Sequence, residues 1–213
     1  MKRLAQSLIQ SWRNLTNKSL RPRSTLNSPR SKGSFFVTLQ GEIFDPAGIL
    51  LKRLPERPAN SFVQQFIDIL YPKMAQETLE VTETDGTGYA VVAAANVFRC
   101  NAELGDDTWG IVIGDDNTAV AIDDYFLVSP LTTNIVHGAH NIAEPVTEGT
   151  TRRLDITRIF TNNSGGDLTI EEVGLVIIIG TSTYRFLIDR SLYSATVING
   201  NSISLRYRIS VTI

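Results

Sequence analysis

The chain has 213 residues, 20 Lys+Arg against 22 Asp+Glu, and a single cysteine. That length fits one medium domain with an extension and can bury a core without metal or cross-links, while the lone Cys100 excludes an internal disulfide. The net charge of −2 conceals a split: residues 1–34 hold eight basic side chains and no acid, whereas residues 61–213 hold 9 Lys+Arg and 19 Asp+Glu.

In chain order, the first expected element is a short amphipathic helix. Leu4, Leu8, Trp12 and Leu15 are spaced by four, four and three residues and share one helical face, with Lys2, Arg3 and Arg13 beside it. Residues 16–34 are rich in Ser, Asn, Pro and Arg and cannot bury enough apolar surface to offset their ordering entropy, so an extended arm is expected. Residues 35–53 read as a β-hairpin turning at Asp45-Pro46-Ala47-Gly48, where proline presets φ and glycine accepts positive φ. The stiff segment 54–58 follows. Asn60 or Ser61 can then cap a helix with Phe62, Phe66, Ile67 and Leu70 on one face, stopped by Pro72.

Beyond residue 78 the period changes to that of strands, expected near 88–98, 109–114, 118–122, 125–129, 151–161, 168–179, 183–189, 194–198 and 202–213. Asn199-Gly200 reads as a hairpin turn. Ile203, Leu205, Tyr207, Ile209, Val211 and Ile213 alternate with Ser204, Arg206, Arg208, Ser210 and Thr212, giving one dry and one wet face. The run Leu175–Gly180 lacks alternation and reads as a central strand covered on both sides. The expected fold is mainly β: an antiparallel, jelly-roll-like β-sandwich with one covering helix and an extended basic arm. Three regions are expected: arm 1–34, hairpin and linker 35–58, and β-domain 59–213.

The chain carries no P-loop, no dinucleotide fingerprint and no G-x-S-x-G. His137 and His140 have a possible ligand spacing, but no cysteine is near and Glu144 completes no known zinc pattern, so they read as a polar loop between strands. Asp106-Asp107, Asp115-Asp116 and Asp123-Asp124 lack the EF-hand glycine and read as solvated turns rather than a Ca²⁺ site. Cys100 reads as a structural thiol. No catalytic residue, metal or cofactor is expected.

No apolar run is long enough to span a membrane, and the N-terminus lacks the h-region of a signal peptide, so no membrane and no secretion by that route are expected. The basic arm needs a partner. Pro22, Pro29, Pro55 and Pro58 favour an extended segment, and Leu4, Leu8, Trp12 and Leu15 need a hydrophobic surface, with Arg13, Arg21 and Arg23 pairing to acidic groups. Docking on protein, including copies of itself, is the first expectation. Packaged nucleic acid contacted through the arm is the second.

The segments "WGIVIGDDNTAVAIDDYFLVSPL", "RIFTNNSGGDLTIEEVGL" and "FLIDRSLYSATVINGNSISLRYRISVTI" share a cadence of turns and strands. With the upstream Asn60–Leu70 segment, this cadence resembles that of uncharacterised structural proteins of tailed bacteriophages over roughly residues 60–213. Gly114-Asp115-Asp116 stands where those chains carry Gly-Thr-Gly. The resemblance implies a non-enzymatic virion component of the minor capsid, vertex, neck or tail type, assembling as a homo-oligomer with other virion proteins. The alternative is a receptor- or glycan-binding module of a viral particle that recognises its target through loops 105–108, 114–118 and 137–150.

Overall fold

A computed structural model describes residues 34–59, 63–66, 68–69, 78–92, 98–179 and 184–212. The chain divides into units of residues 1–32 and 33–213, and the described residues all belong to the second. The expected N-terminal helix and arm lie outside them.

The described chain is mainly β. Its strands are Ser34–Phe44 (β1), Leu50–Arg53 (β2), Arg57–Pro58 (β3), Leu79–Thr82 (β4), Gly88–Val91 (β5), Phe98–Arg99 (β6) and Gly110–Gly114 (β7). They continue with Ile135–Ile142 (β8), Val146–Glu148 (β9), Thr151–Asn162 (β10), Leu168–Ile179 (β11), Tyr184–Val197 (β12) and Ser202–Thr212 (β13). A larger sheet runs β2-β1-β13-β10-β8, with β3 also on β1 and β9 also on β10. A smaller one runs β12-β11-β6, with β7 also on β11, and β4-β5 pair by themselves. Every pairing among these named strands is antiparallel.

The β1–β2 hairpin forms where expected. Asp45 Oδ1 accepts the backbone N–H of Ala47 (2.9 Å) and Ile49 (2.8 Å), and Gly48 sits at φ 81°. The last strand alternates as expected through Ile203, Leu205 and Tyr207, all buried. Further along, the pattern departs from expectation: Ser210 is buried and Val211 is exposed. The wet face carries a polar ladder, with Arg208 bidentate to Asp155 (2.7 Å to each oxygen) and Arg206 donating to Gln40.

The main core draws on both sheets. Val37, Leu39, Ile203, Leu205 and Tyr207 of the larger sheet cluster with Val173, Leu175, Ile177, Phe186 and Ile188 of the smaller. Gly41 on β1 has no room for a side chain, since a Cβ there would fall 2.5 Å from the Tyr193 hydroxyl of β12. The other face of β11 is also dry: Val176 and Ile178 pack with Val112, Leu187, Trp109, Leu127, Ala102 and Val63. The unalternating Leu175–Ile179 run is therefore covered on both sides.

Several expectations are corrected. Residues 118–122 and 125–129 are loop, despite their apolar content, because the loop is pinned by buried charges rather than paired to a sheet. Residues 183–189 and 194–198 are not two strands, since β12 runs unbroken through 184–197. Asn199-Gly200 does not close a hairpin: β12 and β13 lie in different sheets, so this turn carries the chain between them. In the region of the expected covering helix, residues 64–66 and 68–69 are helical. There Val63, Gln65 and Ile69 are buried and Phe66 half-buried, while Phe62, Ile67 and Leu70 lie outside the described residues.

Candidate functional site

The residues expected to dock a partner, Leu4, Leu8, Trp12, Leu15, Arg13, Arg21 and Arg23, all lie outside the described residues. The chemistry-bearing side chains of the β-domain can be placed, and they fall into two buried clusters.

The first centres on Arg158 of β10, fully buried. Its Nε donates to Gly138 O (2.8 Å), its Nη1 to Trp109 O (3.1 Å) and Ile111 O (2.8 Å), and its Nη2 to Asp106 O. A guanidinium has five donors in a fixed fork, and here backbone carbonyls take four of its bonds. Burial pulls its pKa down to about 10, with Asp106 and Asp107 opposing. His137 and His140 flank it, not on a loop as expected but on β8. His140 Nε2 accepts the Ile111 N–H (2.6 Å), so its proton is on Nδ1, facing Ala102 O at 3.2 Å. Burial and the neighbouring Arg158 push its pKa down to about 4. The same causes lower that of His137, whose Nε2 meets Leu131 O at 3.0 Å. These are neutral imidazoles that join β8 to β7 and to the loops on either side. Gly110, at φ 77°, is required beside them, because a Cβ would fall 2.8 Å from Cys100 O as well as into the His140 ring.

The second cluster centres on Glu172 and Arg190, both fully buried. Arg190 donates to Glu172 (2.7 Å), Asp124 (2.9 Å) and Thr118 O (3.0 Å). Burial disfavours its charge, but the two carboxylates outweigh burial and hold its pKa above the ordinary value. The second Glu172 oxygen accepts from Ser129 N (2.8 Å). Loop 115–130 is thereby bolted to β11 and β12 at both ends. Nearby, Asp189 accepts from Tyr207 (2.8 Å) and Ser191 (3.0 Å), which links the smaller sheet to the larger.

The acidic turns are self-satisfied. Asp106 accepts from Thr108, Asp116 from the Thr118 N–H, and Asp85 from the Thr87 N–H. The bonds to Thr108 and Trp109 hold Asp106 below the usual carboxylate range against its burial. Among the described residues no three His, Cys, Asp or Glu side chains gather as a metal ligand set. Cys100 is half-buried, and burial pushes its thiol up to about 11.

What the surface offers is an asymmetry between two sides. On one, β8 ends the larger sheet, but loop 102–105 takes up its backbone: Gly105 N donates to His137 O (2.7 Å) and His140 N to Ala102 O (3.1 Å). On the other, β2 ends the larger sheet and β12 the smaller. Thr84 N and Val63 N bond Arg185 O and Ile188 O (2.9 and 3.3 Å), which covers the first half of β12. From Leu192 to Thr196, the β12 backbone pairs only with β11 among the described residues, and Val197 O accepts the Asn162 side-chain amide (2.8 Å). Between β2 and this open stretch lies a cleft of about 390 Å³ walled by Ile43, Leu51, Leu54, Ala195 and Ile198. Lys52, Ser194, Thr196 and Asn201 complete the lining; exposed apolar residues line it or flank it in the chain: Leu51 is 55% exposed and Ile198 57%, Ile49 63% and Leu192 43%. Sequence reading missed this surface because a hairpin over 35–53 leaves open which of its faces and edges the rest of the chain covers. The only hint is that its partner face carries Lys52 and Arg53.

Among the described residues, further clefts lie at Phe126–Val176, Phe44–Ser202 and Gln40–Arg206. None of the four brings together two carboxylates, or a carboxylate and a histidine. The chain matches no family model, no curated protein and no solved structure.

Proposed function

We propose that the protein is a non-enzymatic structural component of a phage-like virion, a β-sandwich that attaches to its neighbours through a basic N-terminal arm. The observation that carries the reading is where the polar chemistry goes: Arg158, His140, Glu172, Arg190, Asp189 and Tyr207 each spend their bonding capacity on tying loops and sheets together. A core shared by the two antiparallel sheets supports the sandwich, and an apolar open side supports contact with other protein chains. The eight basic residues of 1–34 against the −10 of residues 61–213 support an arm that pairs with an acidic partner surface. The turn-and-strand cadence of residues 109–213 supports the virion setting.

Deletion of residues 1–34 tests the role of the arm. The truncated chain should stay folded and soluble by circular dichroism and fail to enter particles. Normal incorporation of the truncated chain would remove the arm from the account. Packaged nucleic acid is the second partner of the arm. If it is bound through phosphates, affinity should fall steeply between low and physiological salt.

One observation favours the alternative, a receptor- or glycan-binding module. Loops 105–108 and 114–118 are held rigid by Asp106 and Asp116, and rigid loops suit recognition. Of the third expected loop, 137–150, residues 137–142 and 146–148 are strand. A glycan array separates the readings, since an assembly protein should bind nothing on it.

A further inference from the structure

We propose that the open side of the β-domain, between β2 and the second half of β12, is a two-fold contact with a second copy of this chain. The inference rests on the assembly reading above and specifies which surface makes the copies meet.

The first observation is backbone demand. A strand that ends a sheet presents a row of N–H and C=O groups that another extended backbone satisfies best. On the opposite side that demand is met within the chain, by loop 102–105 on β8. On the open side, among the described residues, β2 pairs only with β1 and Leu192–Thr196 pairs only with β11, while Val197 O is taken by the Asn162 side chain (2.8 Å). The register shift falls near Tyr193 and Ser194, and pairing with β11 is regular from Ala195 to Val197.

The second observation is that two sheets end here together, with a cleft between them whose lining mixes apolar residues with Lys52, Ser194, Thr196 and Asn201. A single bound strand would extend one sheet and leave the other uncovered. A complement must offer two sheet edges at the spacing of packed sheets, about 10 Å. A second copy turned by a two-fold axis supplies that, because an isologous contact sets the same patch against itself.

The third observation is charge. Residues 61–213 carry a net −10, so two β-domains meet with least repulsion where acids are few, and Glu171, beside the cleft, accepts from the Ser194 hydroxyl (3.2 Å). No Asp or Glu lines the cleft, and none occurs from Ser191 to Ile198. The one charged lining residue is Lys52. The rim residues Ile49, Leu51, Leu192 and Ile198 become the centre of the contact, and copies facing each other bury them on both sides.

The test is the mass of the full-length chain by light scattering after size exclusion, at micromolar concentration. The wild type should be a dimer or an even multiple. The double variant Leu51→Glu/Ile198→Glu should have half the wild-type mass. Both positions are more than half exposed, so the fold tolerates the change, and thermal unfolding checks that it does. The control Ile142→Glu/Val146→Glu, on exposed apolar residues at the far end of the larger sheet, should keep the wild-type mass. Amide exchange gives the same answer without substitution: the edge amides of residues 192–197 should be protected at high concentration and exchange faster on dilution. A monomeric or odd-numbered wild type, or a double variant of unchanged mass, overturns the contact. If such a protein still enters particles, the assembly reading stands with another interface. If the wild type is absent from particles, the assembly reading fails whatever its mass.

Discussion

Arg190 illustrates how much one buried charge can hold. Its guanidinium bonds Glu172 on the neighbouring strand and Asp124 and Thr118 on loop 115–130. A buried ion pair contributes little net stability over an apolar pair, but removing one partner strands the other charge without water. Arg190→Met should therefore cost roughly 3–5 kcal/mol in urea unfolding. Glu172→Met combined with Arg190→Met should recover part of that loss, because no lone charge remains. A single variant no less stable than the wild type would contradict the assignment. His140 gives a pH signature. The fold needs its ring neutral, with the pKa lowered from 6.5 to about 4. Above pH 6.5 neither state is protonated and no penalty exists. As pH falls from 6.5 toward 4, the unfolded chain takes up a proton that the folded chain refuses, so stability drops, and the drop levels off below the folded pKa. The total is roughly 3 kcal/mol, from about 1.4 kcal/mol for each pH unit. Urea titrations at pH 7 and pH 4.5 should show the drop in the wild type and a smaller one in His140→Gln.

At the scale of elements, the crossing between sheets is the feature that local sequence hides. Asn199-Gly200 has the composition of a hairpin turn, and Gly200 does adopt φ 83°. The turn instead docks on the β10–β11 turn: Gly200 N donates to Asn162 O (2.7 Å), Asn162 N to Asn201 O (2.9 Å) and Gly165 N to Asn199 Oδ1 (2.8 Å). The buried Asn162 side chain then bonds Gly166 O and Val197 O, both at 2.8 Å. Turn chemistry is local, whereas the choice between folding back and crossing over is made by which apolar faces must meet, and that is a tertiary matter. Asn162→Ala should cost roughly 1–2 kcal/mol, because the buried Val197 carbonyl loses this donor, whereas the exposed Gly166 carbonyl keeps the Ser164 hydroxyl. Denaturant unfolding checks it, and a loss under half a kcal/mol would show that the two turns hold each other without Asn162. Strands with clean alternation or a long apolar run, such as Thr151–Asn162, Leu168–Ile179 and Ser202–Thr212, were legible in the residues. Ile135–Ile142 was not, because His137, His140 and Asn141 look like loop, and it takes Leu131 O, Ala102 O and the Ile111 N–H to satisfy the buried His137 and half-buried His140. The break expected within β12, residues 190–193, begins at Arg190, whose partners lie 18 to 72 positions away in the chain.

At the scale of the whole molecule, the charge split and the open apolar side address the same question, what this chain attaches to. The split was legible in the sequence, since a count of charges needs no structure. The open side was not, because whether an edge is covered depends on loops such as 102–105 that sequence places only after folding. The central claim is residence in a particle. The most direct test is mass spectrometry of density-banded particles released from cells that make this chain. The account predicts that the chain bands with the shell proteins at a fixed copy ratio and stays with them through a high-salt wash. Recovery of the chain only from the soluble fraction, with particles that lack it, would contradict the account.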